Sequence, residues 1–251
     1  MNVLDPFRKL INMLRDSKKN QFLELLKLDD SIASIELSKI NLGFFPKSSY
    51  SLSPTTLLHV INEIIINDRS QILEIGSGIS TLYLAKVIKD NNLDSTLLSL
   101  DEDEKWQQVI KENLKKIECE HLVTFKTASL KEGNYGYWYD DKIVSEFLCR
   151  KNYQFDLVLV DAPSTTVDKT ARDGAIPFLT NNNLLSEEYV IFLDDTFREK
   201  EYKISLSWQE RLQCKLFNYT VYSILVKGDG FITQPFFQGH KYRVNEYYKR
   251  I

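Results

Sequence analysis

The sequence predicts an α/β fold: a seven-stranded, mostly parallel sheet with helices on both faces, preceded by an N-terminal helical extension. Near-continuous apolar runs such as QILEI (71–75), FDLVLV (155–160) and YVIFL (189–193) alternate with segments of helical periodicity, the pattern of parallel strands covered on both faces. Several of these runs end on acidic residues or glycine, which places polar chemistry at one edge of the sheet. The last two β-rich runs, KLFNYT (215–220) and YSILVK (222–227), are joined too tightly for a helical crossover and form an antiparallel pair.

The elements follow in order. Ser53-Pro54 supplies an N-cap and a first-turn proline, and Leu57, Leu58, Ile61, Ile64 and Ile65 then recur at helical spacing, predicting a helix over 54–67. Strand 71–75, helix 79–90, strand TLLSL (96–100), helix 103–117 and strand LVTFK (122–126) come next. KEGNYGYWYDDK then reads as a long loop before strand 155–160, helix 170–184, strand 189–193 and helix 197–212. No repeat or Gly/Ser-rich linker divides the chain, so residues 1–50 form the extension and 51–251 the single domain.

Composition sets bounds on function. The 251 residues are 43% hydrophobic, enough for a substantial core, and a formal charge of −3 offers no global field for nucleic acid. The three cysteines form no CxxC pair and no ligand cluster with the histidines, which fits a reducing, cytoplasmic setting. MNVLDPFRKLINMLRDSKKN mixes apolar and charged residues without an apolar core, so it predicts an amphipathic helix rather than a signal peptide or membrane span. Oligomeric state is left open, a homo-oligomer included.

The first strand runs into LEIGSGISTLYLAK, which sets Glu74, Gly76, Gly78, Ser80 and Thr81 between strand and helix. Glycines there let the chain turn sharply and approach a ligand, beside the N–H groups of a helix N-terminus. A plain tight turn explains the same residues. A dinucleotide site expects a third glycine where this chain has Thr81, which disfavours a nicotinamide-dependent oxidoreductase, the alternative reading of the turn. Glu74 is a carboxylate within an apolar strand, and the second strand ends in Asp101-Glu102-Asp103, where acceptor oxygens suit a ribose diol.

ILEIGSGIST, LSLDEDEKW and FDLVLVDAP together resemble the successive strand-end motifs of class I S-adenosylmethionine-dependent methyltransferases, over roughly residues 50–227. The resemblance implies a Rossmann-like sheet of order 3-2-1-4-5-7-6 with the last strand antiparallel. It implies that Glu74, Gly76, Ser77 and Gly78 surround the amino-acid part of S-adenosyl-L-methionine, that Asp101 holds the ribose, and that Ala128 and Ser129 lie near the adenine. Ser80, Thr81, Glu102 and Asp161 complete the expected cofactor-binding set. A sulfonium has no pyrophosphate to cradle, so the third glycine is dispensable, and nearby carboxylates suit its charge.

Asp161 ends one strand and Asp194-Asp195 the next, so three carboxylates converge at one edge. Such a cluster is protonated, paired with a cation or bound to a metal, for which hard oxygen ligands suggest Mg²⁺ or another divalent cation. It resembles the metal site of the catechol and caffeoyl-coenzyme A O-methyltransferase branch, which would make Asp161, Asp194 and Asp195 metal ligands. Ala162-Pro163-Ser164 departs from that branch, and VDAPS, ARDGAIPFL and LDDTFREKE look closer to bacterial methyltransferases acting on glycans or small molecules. For Asp194 the alternative is an ion pair with Arg198 or Arg172, and for Asp195 a helix cap, which Asp195 or Thr196 could supply.

The expected chemistry is methyl transfer to a hydroxyl of a small-molecule or glycan acceptor, with Asp161 at the reacting centre and Asp195 assisting. A non-catalytic cofactor-binding protein is a further alternative. Tyr135, Tyr137, Trp138 and Tyr139 read either as a lid over the substrate or as a packed surface loop, and Trp106 and Trp208 as packing residues. Structural roles are expected for His59 and His121, and a solvated terminus for Lys241, Arg243, Lys249 and Arg250.

Overall fold

A computed structural model of the chain describes residues 24–46, 48, 50–149, 152–164, 171–219 and 221–236. The amphipathic helix expected at the start and the basic tail lie outside the described residues. A helix over residues 24–37 precedes α1 (Pro54–Ile66), β1 (Gln71–Ile75), α2 (Ile79–Asp90), β2 (Thr96–Asp101), α3 (Glu104–Lys116) and β3 (Val123–Thr127). A hairpin, β4 (Leu130–Gly133) and β5 (Gly136–Tyr139), leads to α4 (Asp141–Cys149), β6 (Phe155–Val160), a 3₁₀ turn (Ala171–Gly174) and α5 (Ala175–Asn181). The chain continues through β7 (Leu185–Asp194), α6 (Glu199–Leu212), β8 (Lys215–Asn218) and β9 (Tyr222–Lys227).

The main sheet has seven strands in the order β3-β2-β1-β6-β7-β9-β8, with only β9 antiparallel to its neighbours. This is the expected 3-2-1-4-5-7-6 once the two hairpin strands, which form their own sheet, are left out of the numbering. Alternation along β1 sends Ile72 to one apolar layer, built with α1 and α2, and Leu73 and Ile75 to the other, built with α5 and α6.

Three local expectations are corrected. KEGNYGYWYDDK is no open loop but the antiparallel hairpin, and Trp138 and Tyr139 are buried in the second layer at 1% exposure, so they form no lid. Apolar rings large enough to fill the space beside α5 overrode the turn propensity of the flanking Gly and Asn. The helix expected over 170–184 shortens to the 3₁₀ turn and α5, because β7 begins at Leu185 rather than at 189. Helix α4, with Val144 and Leu148 on its buried face, was not anticipated.

Ser53 caps α1, its hydroxyl accepting from the Thr56 N–H, with Pro54 in the first turn. Asp30 pins the preceding helix to that cap, accepting from the Thr55 N–H at 3.1 Å and its hydroxyl at 2.6 Å. At the far end of α1 a buried polar cluster holds residues 231–234: Thr233 donates to Glu63 at 2.6 Å and bonds His59 Nε2 at 3.0 Å, while His59 Nδ1 meets the Tyr222 hydroxyl at 2.7 Å. His59 therefore has the structural role expected of it. Among the described residues, no helix is long and apolar enough to cross a membrane.

Arg69 Nη2 lies 2.7 Å from Glu63 Oε1, and both side chains are buried. Removing one member of such a pair strands the other in a low-dielectric setting. Arg69→Met is expected to destabilise the fold by about 3 kcal/mol, and Glu63→Gln added to it to recover part of that loss, measured by urea denaturation.

Candidate active site

The turn after β1 is built on Glu74. Its carboxylate has 0% exposure and accepts from Ser80 Oγ at 2.6 Å, Thr81 Oγ1 at 2.5 Å and Ser99 Oγ at 2.8 Å. Burial outweighs these donors and pushes its pKa up to about 7. Thr81 Oγ1 also accepts the Gly78 N–H at 3.0 Å, so the residue standing where a dinucleotide site has glycine ties the turn to the strand.

Gly76 needs its glycine. It sits at φ +109°, and a Cβ there would meet the Ala162 Cβ at 2.9 Å. The Asp161 and Ala162 N–H groups both donate to the Ile75 carbonyl at 2.9 Å, which stitches the end of β6 to the glycine turn. A Cβ on Gly78 would meet only Ser80, at 3.5 Å or more, so this backbone faces open space.

That space is a crevice of about 500 Å³. Gly76, Ser77, Gly78 and Ser80 form one wall, Asp101, Glu102 and Trp106 a second, Asp161, Arg172, Asp194, Asp195 and Arg198 a third, and Phe45, Tyr50 and Leu52 a cover. Asp101 accepts the Ser77 N–H at 2.7 Å and the Asp103 N–H at 2.8 Å, and burial raises it to about 6. Glu102 accepts the Tyr139 hydroxyl at 2.8 Å. Trp106 donates its indole N–H to the Ser77 carbonyl at 2.7 Å and packs edge-on against Phe45, so it is a wall of the groove.

Four expected cofactor residues do not line the crevice. Glu74 and Thr81 are buried behind the turn, Ala128 is buried with its N–H on the Asp101 carbonyl, and Ser129 is exposed. Sequence reasoning missed Phe45 and Tyr50, whose only signal is an aromatic pair just before the Pro54 helix. It also missed Gln107, fully buried, which donates to Ser77 Oγ at 3.0 Å and accepts from Thr127 at 2.7 Å. His121 lies exposed in a 3₁₀ turn, remote from this edge in the fold.

Asp161, Asp194 and Asp195 do converge: one oxygen of each lies within 4.8 Å of the others. Arg172, 4% exposed, reaches all three residues, with Nη2 on Asp161 Oδ1 at 3.2 Å and Nη1 on Asp195 Oδ2 at 3.1 Å and the Asp194 carbonyl at 3.2 Å. Arg198 Nη1 shares the same Asp195 oxygen at 2.9 Å. The Asp194 carboxylate instead accepts a long bond from Thr56 Oγ1 at 3.4 Å. The arginines expected to pair with Asp194 thus pair with Asp195, while the Asp194 carboxylate forms no ion pair among the described residues. Asp195 does not cap α6 through its side chain either: Arg198 is the N-cap residue, and Asp195 sits at φ +63°.

Burial raises Asp161 to about 7, against the pull of Arg172 and with a push from Asp195. Burial and the flanking carboxylates raise Asp194 well above the ordinary range. The three carboxylates suit a divalent ion in number and hardness. The place such an ion would take between Asp161 and Asp195 is, however, filled by the Arg172 guanidinium, so the set as it stands does not fit a metal. The crevice does fit a sulfonium cofactor: the open Gly78 backbone, the paired acids at Asp101 and Glu102, and a lining with more carboxyls than guanidiniums all suit it.

Because the folded pKa of Glu74 lies above its unfolded value, its contribution to stability is fully present below about pH 4.5 and is lost as pH rises through about 7. Across that window Glu74 is expected to cost roughly 1.4 kcal/mol per pH unit. Glu74→Gln should flatten the slope by one proton's worth, measured by urea denaturation at several pH values from 4.5 to 7.5.

Residues 73–196 match a family described as a methyltransferase domain. No curated protein matches the chain in sequence. Among solved structures it is similar to the S-adenosylhomocysteine-bound methyltransferase PaMTH1 of Podospora anserina, at 16% identity and TM-score 0.54, over 81% of this chain and 88% of that one. It is also similar to an O-methyltransferase of Bacillus cereus in complex with S-adenosylhomocysteine, at 18% identity and TM-score 0.50, over 79% and 90% of the two chains. These structural likenesses speak to the fold, and the family match falls on the strands and turns that carry the crevice. Residues 73–196 of the chain are thus a methyltransferase domain.

Proposed function

We propose that this protein transfers a methyl group from S-adenosylmethionine to a hydroxyl of a small molecule or glycan intermediate. The observation that carries this reading is the stitching of the glycine turn to the end of β6, which sets a carboxylate, Asp161, beside the cofactor cradle. Bound in that cradle, the cofactor supplies an electrophilic methyl on a sulfonium. In-line displacement then needs an acceptor oxygen held on the methyl's far side and relieved of its proton.

Asp161 has the geometry for the second task. Arg172 holds its Oδ1, while the side chain remains partly open to the crevice at 23% exposure. A pKa near 7 makes it a base matched to neutral pH. Asp195 gives Oδ2 to both arginines, and in this reading it assists by fixing them rather than by touching the acceptor. Gly76, Ser77, Gly78 and Ser80 cradle the amino-acid end of the cofactor and Asp101 and Glu102 its ribose, while Glu74 and Thr81 support that wall from behind. Ala128 and Ser129 follow β3 directly, with the Ala128 N–H on the Asp101 carbonyl, and would border the adenine.

Acceptor choice falls to the cover: Phe45 and Tyr50 bring aromatic rings to the crevice, suited to a sugar or aromatic ring. The excess of carboxyls there favours an uncharged acceptor over an anionic one.

Asp161→Asn is expected to bind S-adenosylhomocysteine with near-native affinity by calorimetry while kcat falls ~10²–10⁴-fold. A variant with full turnover but weakened cofactor binding would reassign Asp161 to the cofactor. The wild-type rate should rise with pH through about 7, as the base loses its proton, and then level off. A rate flat from pH 5.5 to 8.5 would count against a carboxylate base with that pKa.

A further inference from the structure

We propose that Arg172 is the resident cation of the carboxylate cluster, occupying the position a divalent ion would take, and that the native site works without a metal. The inference rests on the proposed function only in treating this edge as the acceptor side; the binding behaviour it predicts does not depend on turnover.

The geometry resembles a coordination sphere with a guanidinium at its centre. Arg172 addresses a carboxylate oxygen of Asp161, a carboxylate oxygen of Asp195 and the backbone carbonyl of Asp194, all at 3.1–3.2 Å, and its Nε points to the Pro163 carbonyl at 3.5 Å. These are hard oxygens on two adjacent strand ends, gathered about one positive centre. A metal entering there would have to expel a side chain that is 4% exposed, stripping it of both its charge partners and its carbonyl contacts.

Charge argues the same way. Arg198 Nη1 lies 2.9 Å from the Asp195 oxygen that Arg172 already contacts, so a divalent ion bound to Asp195 would sit within a few ångströms of a second guanidinium. Arginine is also a permanent cation whose charge cannot be lost by deprotonation or dissociation. It fixes one oxygen of Asp161 and leaves the orientation of the other set for an acceptor. Arg172 is thus a positioning residue, acting on the acceptor through Asp161.

Mn²⁺ is the probe, read by calorimetry and by the electron paramagnetic resonance signal of the free ion, with no acceptor present. The wild-type protein is expected to show no saturable Mn²⁺ site at millimolar concentration and to keep its affinity for S-adenosylhomocysteine in the presence of a chelator. Arg172→Met, which removes the guanidinium and leaves the three carboxylates, should gain one Mn²⁺ site per chain, at least tenfold tighter than any wild-type binding. Arg172→Met/Asp161→Asn should lose it. A single saturable Mn²⁺ site in the wild type that Asp161→Asn abolishes would overturn the proposal, as would a folded Arg172→Met that gains none. If Arg172→Met does not fold, Arg172→Lys keeps a positive charge and is expected to bind no Mn²⁺; Mn²⁺ binding by the wild type remains the overturning result.

Discussion

Carboxylates at the end of a buried strand repel one another and lose hydration, and at the ends of β6 and β7 the Arg172 guanidinium counters both costs. Much of the nearby structure holds that one side chain in place. Its 3₁₀ turn is fastened to α6, where the Trp208 indole N–H donates to the Asp173 carbonyl at 3.2 Å and carboxylate at 3.1 Å. It is backed by the hairpin, because a Cβ on Gly174 would collide with the Tyr135 carbonyl and the Trp138 ring at 2.8–2.9 Å. The aromatic hairpin therefore reaches the site indirectly, as a support for the turn that carries the arginine.

The wall proposed for the cofactor uses the opposite device. Among the described residues no cation pairs with Glu74; hydroxyls of Ser80, Thr81 and Ser99 satisfy its oxygens, and Gln107 extends the network through Ser77 to Thr127. A hydroxyl network fixes geometry without adding charge, whereas the ion-paired wall fixes charge at the proposed acceptor side. One crevice thus carries a neutral scaffold on one flank and an ionic one on the other.

The sheet was legible because apolar runs fully buried on both faces leave a plain signal, and β1, β6 and β9 match their expected bounds residue for residue. So was the convergence of Asp161, Asp194 and Asp195, which follows from parallel neighbours ending at one edge. Which carboxylate meets which arginine was not, since it depends on the left-handed backbone at Asp195 and on a 3₁₀ turn that carries no periodic pattern. The hairpin was obscured by Gly and Asn, and Phe45 and Tyr50 by lying where the sequence shows neither helical nor strand periodicity. Glu74 shows the limit of motif reading: its position in the turn was recognisable, but its burial behind the turn belongs to the alternation of β1 and the fit of α2.

Phe45 and Tyr50 precede α1, outside the sheet and the glycine turn, while every residue of the proposed cofactor wall lies between Gly76 and Trp106. Sequence change in the first stretch alters the shape of the cover without disturbing a backbone that must keep φ at +109° or a carboxylate with its oxygens committed. The two walls can therefore diverge at different rates under selection. Under the proposed function, descendants of one ancestral chain can drift to new acceptors while the methyl-donor half stays nearly fixed.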